Sequence, residues 1–239
     1  MCIRDRYKEN GFKKKEDAER LIAELTAEPA GPVTVTGIEK KKENKNAPLL
    51  YNLAELQNDC SKYFKISPDE TLRIVQELYE KKMTTYPRTD ARVLSTAVAK
   101  EIHKNIGGLR SYALATPFAK EVLEQGTYKN IAKTRYVNDK QITDHYAIIP
   151  TGQGLNNLAG LAPTAAKVYE VIVRRFLSIF YPPAVYQKFS LAVKVKEENF
   201  FASFKVLVQE GYLKVANFSF KKENTAPKDC LLYTSDAAD

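Results

Sequence analysis

Residues 84–90 read Thr84-Thr85-Tyr86-Pro87-Arg88-Thr89-Asp90, followed closely by Leu94-Ser95. On a short extended stretch, side chains two residues apart share a face, so this run sets the Tyr86 phenol beside the Arg88 guanidinium. A phenol attacks poorly at neutral pH unless nearby cations favour its phenolate. A phosphodiester under attack needs its growing negative charge stabilised. Tyr86 and Arg88 match both needs, although the same pair describes a packing aromatic beside a surface cation, and spacing alone does not choose.

Outward from this run, the chain reads as a mostly helical middle between strands. Upstream, Ser67-Pro68-Asp69-Glu70 supplies a cap, a proline at the first helical position and an acidic first turn for a helix to about Lys82. A helix over Leu53 to Phe64 precedes it across the short Lys65-Ile66-Ser67 connection, and a short strand at Met83 to Tyr86 follows. The pair resembles a helix-turn-helix. Asp69 and Glu70 are explained by a solvated helix start rather than as metal ligands. Downstream, Ser95 caps a helix from Thr96 to Ile106 that ends at Gly107-Gly108, and Leu109 to Asp139 reads as short helical pieces and loops. Thr164 to Phe180 is a strong helix with Ala166, Val168, Tyr169, Ile172, Val173, Phe176 and Leu177 inward, stopped by Tyr181-Pro182-Pro183.

At the flanks, Lys13 to Leu25 has helical spacing, and Val33 to Ile38 alternates as a strand running into the charged run 39–46, read as a solvated strand end or loop. Phe189 to Val195, Phe200 to Val208 and Tyr212 to Phe218 alternate as strands of an antiparallel sheet. The expected class is α+β.

The chain has 239 residues, 44% hydrophobic and 28% charged, with 37 Lys plus Arg against 29 Asp plus Glu and a pI near 9.2. That balance excludes collagen-like, coiled-coil and wholly disordered classes, and it favours a polyanionic partner, nucleic acid first. No apolar run approaches the roughly 20 residues that span a bilayer. No Gly-rich phosphate loop and no internal repeat is present in the sequence.

The two ends read differently. Met1-Cys2-Ile3-Arg4-Asp5-Arg6 back-translates to a string resembling a sequencing-library transposon-end adapter, and Cys230 to Ser235 back-translates to its reverse complement. Residues 1–6 and 230–239 are therefore set aside as adapter-like, and residues 7–229 are expected to be an internal slice of a longer protein. Cys2 and Cys230 fall in those ends, which leaves Cys60 alone, without a disulfide framework or zinc site.

Tyr86-Pro87-Arg88-Thr89-Asp90 resembles the active-site signature of type IA DNA topoisomerases. Pro48-Leu49-Leu50-Tyr51-Asn52-Leu53 with Leu56-Gln57, and Thr71-Leu72 with Gln76-Glu77-Leu78-Tyr79-Glu80, resemble the family upstream of it. Asp144-His145-Tyr146-Ala147-Ile148-Ile149-Pro150-Thr151 resembles its histidine motif, and Tyr169 with Arg174-Arg175-Phe176-Leu177 the helix that follows. The Ile148-Ile149-Pro150 form is similar to bacterial topoisomerase III-like members. Ala91 stands where the family often has Ser, and Tyr146 where many such members have a second His.

The resemblance implies an ATP-independent isomerase that cuts one DNA strand through a 5′-phosphotyrosine on Tyr86, passes a strand and religates. Arg88 would hold the scissile phosphate, His145 would assist there, and Asp90 would orient neighbours. Gln76, Thr89, Thr151, Arg174 and Arg175 are candidate DNA contacts. It further implies a partial arch at 7–47, a catalytic-tyrosine domain at 48–181 and returning arch strands at 182–229. The Mg²⁺-binding Toprim domain of the family would precede this region and be absent from it, so no metal ligand is assigned here. Expected partners are single-stranded or underwound duplex DNA, met by a monomer in the bacterial cytoplasm at the nucleoid, with no membrane. Two other readings compete. One is a non-catalytic helix-turn-helix single-stranded DNA binder. The other is a tyrosine recombinase, opposed by the position of Tyr86 far from the C-terminus.

Overall fold

The computed structural model describes residues 14–27, 32–196 and 198–220. The adapter-like ends lie outside them. The chain divides into two units, one formed by described residues up to Lys45 with Val185–Gln209, the other by Asn46–Ala184 and residues 210–220.

The first unit holds α1 (Lys15–Thr26), β1 (Val33–Lys45), β2 (Ala184–Val195) and β3 (Glu198–Gln209), with strand order β1-β2-β3. The charged run continues as strand to Lys45 because its side chains are exposed and remain solvated. β2 and β3 are antiparallel, with Phe189 opposite Phe204, ring centroids 5.0 Å apart and stacked. The same register sets Lys188 opposite Lys205, and Glu43 of β1 offsets this like-charge pair by meeting Lys205 at 2.6 Å. That contact holds the Glu43 carboxyl below its ordinary range.

The second unit is helical: α2 (Leu53–Phe64), α3 (Pro68–Glu80), α4 (Thr96–Gly108), α5 (Thr116–Gln125), α6 (Pro163–Ser178) and the single-turn α7 (Leu213–Ala216). Caps set the starts: Asn52 accepts from the Glu55 amide, Ser67 from Glu70 and Ser95 from Val98, each satisfying a donor that the helix cannot. Lys65, at φ 60°, ends α2 in the left-handed region and lets α3 begin after two residues. α6 is the central element, with Val168, Tyr169, Ile172, Val173, Phe176 and Leu177 buried as its apolar spacing requires. Each such side chain contributes about 1.5–3 kcal/mol by leaving water. Cys60 is buried and free, and burial pushes its thiol up to about 12, so it packs as a small apolar group.

Two expected strands are not formed. Met83 to Tyr86 carries only a single bridge, Thr84 to Pro150, flanked by Thr85 N–H to Ile149 O and Thr151 N–H to Met83 O, and the pairing extends no further along the two segments. Tyr212 to Phe218 is not a strand but contains α7. Gly211, at φ 52°, turns the chain after β3, and Tyr212, Val215 and Phe218 are buried at intervals of three, a helical rather than an alternating pattern. Arg174 donates to the Val215 carbonyl at 3.1 Å, which fixes this turn against α6.

Candidate active site

Three extended segments meet in the helical unit. The 49–53 segment donates from Leu50 N–H to Arg92 O (3.2 Å) and from Leu53 N–H to Thr89 O (3.1 Å), and its Tyr51 O accepts from Ile148 N–H (2.8 Å). The segment before Tyr86 is tied to the one after His145 by Thr85 N–H to Ile149 O and Thr151 N–H to Met83 O, both 3.0 Å. Thr85 uses its side chain as well: its hydroxyl donates to Ala147 O (3.0 Å) and accepts from Ile149 N–H (2.9 Å). These bonds satisfy backbone groups of the region and bring the ends of two distant segments together.

At those ends the Tyr86 phenol and the His145 imidazole pack with centroids 4.3 Å apart and planes tilted by 40°. Tyr79, on the last turn of α3, also meets the Tyr86 ring, edge-on at 5.5 Å. The Thr89 hydroxyl donates to the His145 carbonyl (2.9 Å) and accepts from Ala91 N–H (3.1 Å). The Tyr86 and His145 side chains line an open cleft of about 590 Å³ together with Tyr79, Glu80, Lys82, Thr84, Thr85, Tyr146, Thr151 and Gln153. Burial pushes the Tyr146 phenol up, so it stays protonated and able to donate. The Thr84 hydroxyl is buried with no hydrogen-bond partner.

The expected site residues separate into four groups. Tyr86, His145 and Thr151 share the cleft, and the Thr151 hydroxyl donates to Lys82 O at 2.5 Å. Arg88 and Asp90 are exposed on the same run but do not line the cleft; Arg88 makes no ion pair or hydrogen bond among the described residues, and Asp90 receives Asn52 through its backbone carbonyl. Thr89 is buried under His145 rather than facing solvent, and Gln76 donates to Glu80 at 3.1 Å beside the cleft.

Arg174 and Arg175 are corrected as DNA contacts. Arg174 is 8% exposed and bonds Glu170 at 2.6 Å, while Glu170 also accepts from the Ser219 amide and hydroxyl. Arg175 lies over the Tyr51 ring at 4.1 Å and donates to Leu49 O, Tyr51 Oη and Asp59. Tyr51, whose phenol burial pushes well up, donates in turn to Asp59 at 2.5 Å. A helix buried on most sides must pair its cations internally.

The residues that sequence reasoning did not assign to the site are Tyr79, Glu80, Lys82, Thr84, Thr85, Tyr146 and Gln153. Tyr79 and Glu80 had a sequence signal, since they belong to the quoted upstream motif. Among the described residues no group of three or more His, Cys, Asp or Glu gathers to hold a metal ion, so the Mg²⁺ that the family implies has no fitting site in them.

A helical unit carrying a tyrosine-histidine cleft, joined to an antiparallel sheet, has the fold of a type IA topoisomerase. The full-length topoisomerase I from Thermotoga maritima superposes with a TM-score of 0.60 over 92% of this chain and 34% of its own, at 20% identity. A DNA topoisomerase family model matches residues 3–234, and the chain belongs to that family. It is 35% identical over 213 residues to DNA topoisomerase 3 of Bacillus cereus, covering 88% of this chain and 28% of the relative. To DNA topoisomerase 3 of Bacillus subtilis it is 34% identical over 194 residues, 81% of this chain and 26% of the relative. The chain thus spans between a quarter and a third of the length of these relatives.

Proposed function

We propose that this chain carries the tyrosine half of a topoisomerase III-like active site. The observation that carries the reading is the Tyr86–His145 pair, held by backbone bonds at the wall of an open cleft. The Tyr86 oxygen attacks a backbone phosphorus of one DNA strand. The new bond is tyrosyl O–P, the broken bond is P–O3′, and the leaving 3′ oxygen takes up a proton as the phenol gives one up. The phosphorus keeps its 5′ oxygen, so the product is a 5′-phosphotyrosine. After a second strand passes, the 3′-hydroxyl attacks and restores the phosphodiester. The ester conserves the bond energy, so no ATP is consumed.

His145 sits against the phenol, where its imidazole donates to the phosphate. Arg88, exposed and unpaired among the described residues, supplies the planar cation that a phosphate oxygen takes up best. Asp90 orients this run from outside the cleft. Mg²⁺ belongs to a Toprim segment of the intact protein and contributes charge neutralisation when bound. The substrate is single-stranded or underwound DNA, relaxed or decatenated by a monomer at the bacterial nucleoid. No described helix is long and apolar enough to cross a membrane.

The test is covalent trapping. The chain is joined to the Toprim-bearing segment of a DNA topoisomerase 3, incubated with end-labelled single-stranded DNA and denatured. A 3′-labelled strand remains on the protein, a 5′-labelled one is released, and Tyr86→Phe abolishes both events. Retention of the 5′ label would mean a 3′-phosphotyrosine, as recombinases form. Binding without any adduct would establish the non-catalytic helix-turn-helix reading instead.

A further inference from the structure

We propose that Lys82 is a phosphate-binding residue of the cleft, gripping the backbone of the same single strand whose scissile phosphodiester lies against Tyr86. The inference rests on the transesterase reading above and names a substrate contact that the active-site signature does not contain. Among the described residues lining the cleft, Lys82 is the one lysine or arginine, and Glu80, held by Gln76, is the one aspartate or glutamate. Lys82 is exposed and makes no ion pair among the described residues, whereas its neighbour Lys81 is committed to Glu77 at 3.1 Å.

The lysine stem starts from a fixed backbone. Lys82 N–H donates to Tyr79 O (2.8 Å), Met83 N–H to Leu78 O (2.9 Å), and the Thr151 hydroxyl clamps the Lys82 carbonyl. The opposing loop is equally confined: Gly154, at φ 68°, has no room for a Cβ, which would lie 2.2 Å from the Lys81 carbonyl. Ordering of this wall therefore precedes binding, and the ammonium meets an anion without the cost of arranging its loop. A single strand running past Tyr86 carries a phosphate at every nucleotide, so a cation elsewhere in the same cleft finds one of them.

Lys82 sits at φ 59°, a conformation in which glycine is favoured over any side chain. Lys65 ends α2 at φ 60° and does not line the cleft, which makes it a matched control. The experiment titrates a fluorescent single-stranded oligonucleotide by anisotropy across a salt series, with thermal melts in parallel, for the wild-type chain, Lys82→Gly, Lys82→Arg and Lys65→Gly. Lys82→Gly should weaken binding several-fold and lower the slope of log affinity against log salt by about 0.7, the loss of one single-strand phosphate contact. Lys82→Arg should keep the slope, Lys65→Gly should keep both, and neither glycine variant should melt below wild type. If Lys82→Gly melts lower, Lys82→Gln must show the same loss of slope. Wild-type affinity and slope in Lys82→Gly or Lys82→Gln overturn the proposal, as does an equal loss in Lys65→Gly, which would mark diffuse electrostatics. A wild-type chain that does not bind the oligonucleotide at all overturns the functional reading as well.

Discussion

The Thr89 hydroxyl donates to the carbonyl of His145 at 2.9 Å, so the signature run that carries Tyr86 also holds the backbone of the residue packed on it. The same oxygen accepts from the amide of Ala91, a buried residue. The two candidate catalytic rings are therefore positioned by one buried side chain as well as by the backbone bonds around Thr85.

Replacing Thr89 by Val should cost about 1–3 kcal/mol, since it leaves a buried amide without its acceptor. Urea denaturation reads that loss. Adduct formation in the Toprim-joined protein should fall with it at temperatures where the variant is still folded, because His145 loses its tether. Thr89→Ser retains the hydroxyl and should restore most of both. A serine variant as impaired as valine would show that the methyl, not the hydrogen bond, matters.

Glu170 and Arg174 form a buried pair that also fastens the returning segment through Ser219 and Val215. Arg174→Ala strands the Glu170 carboxylate in the core and should destabilise the helical unit by about 3–5 kcal/mol. Chemical denaturation measures this. The salt dependence of DNA affinity should be unchanged for the folded fraction. A variant of normal stability with a reduced salt slope would return Arg174 to the DNA surface.

The adjacent arginines show where sequence reading stops. Arg174-Arg175 looks like a basic patch, and only the packing of α6 against the 49–53 and 213–219 segments shows that both cations are used internally. The helices themselves were legible from their caps and apolar spacing, as was the β2–β3 pairing from its alternation. Tyr212 to Phe218 misled because a short apolar stretch carries too few positions to separate period two from period three. Tyr86 and His145, which pack together in one cleft, were singled out beforehand only by the resemblance of two motifs. Lys82 and Gln153 were not, because a cleft exists only when the segments that wall it are brought together.

Tyr79 meets the Tyr86 ring edge-on at 5.5 Å and is itself 40% exposed. Such a ring pair contributes about 0.5–1.5 kcal/mol beyond simple burial, which corresponds to a two- to ten-fold effect on a step that needs the phenol held in place. Tyr79→Leu should slow adduct formation by that factor at saturating DNA, and Tyr79→Phe should be close to wild type. Single-turnover rates in the Toprim-joined protein decide it. A phenylalanine variant as slow as leucine would assign the role to the hydroxyl instead of the ring.

Glu121 supplies the last test, through pH. On α5 it accepts from Lys214 Nζ at 2.8 and 3.0 Å and from the Tyr181 hydroxyl at 2.8 Å, tying α7 and the end of α6 to α5. The Lys214 ammonium, then the Tyr181 hydrogen bond, hold its carboxyl below the ordinary 4.5, while burial, then the same bond, push the Tyr181 phenol up. A carboxyl whose folded value lies below its unfolded one stabilises the fold above the unfolded value, and the contribution disappears as pH falls through the folded one. Wild type should therefore exceed Glu121→Gln in stability at pH 7, the gap should narrow from about pH 4.5 downward, and it should close once the carboxyl is protonated in both states. Urea midpoints of the two proteins between pH 7 and pH 3 measure the gap. A gap that persists undiminished at low pH would mean that Glu121 acts by packing and not by its charge.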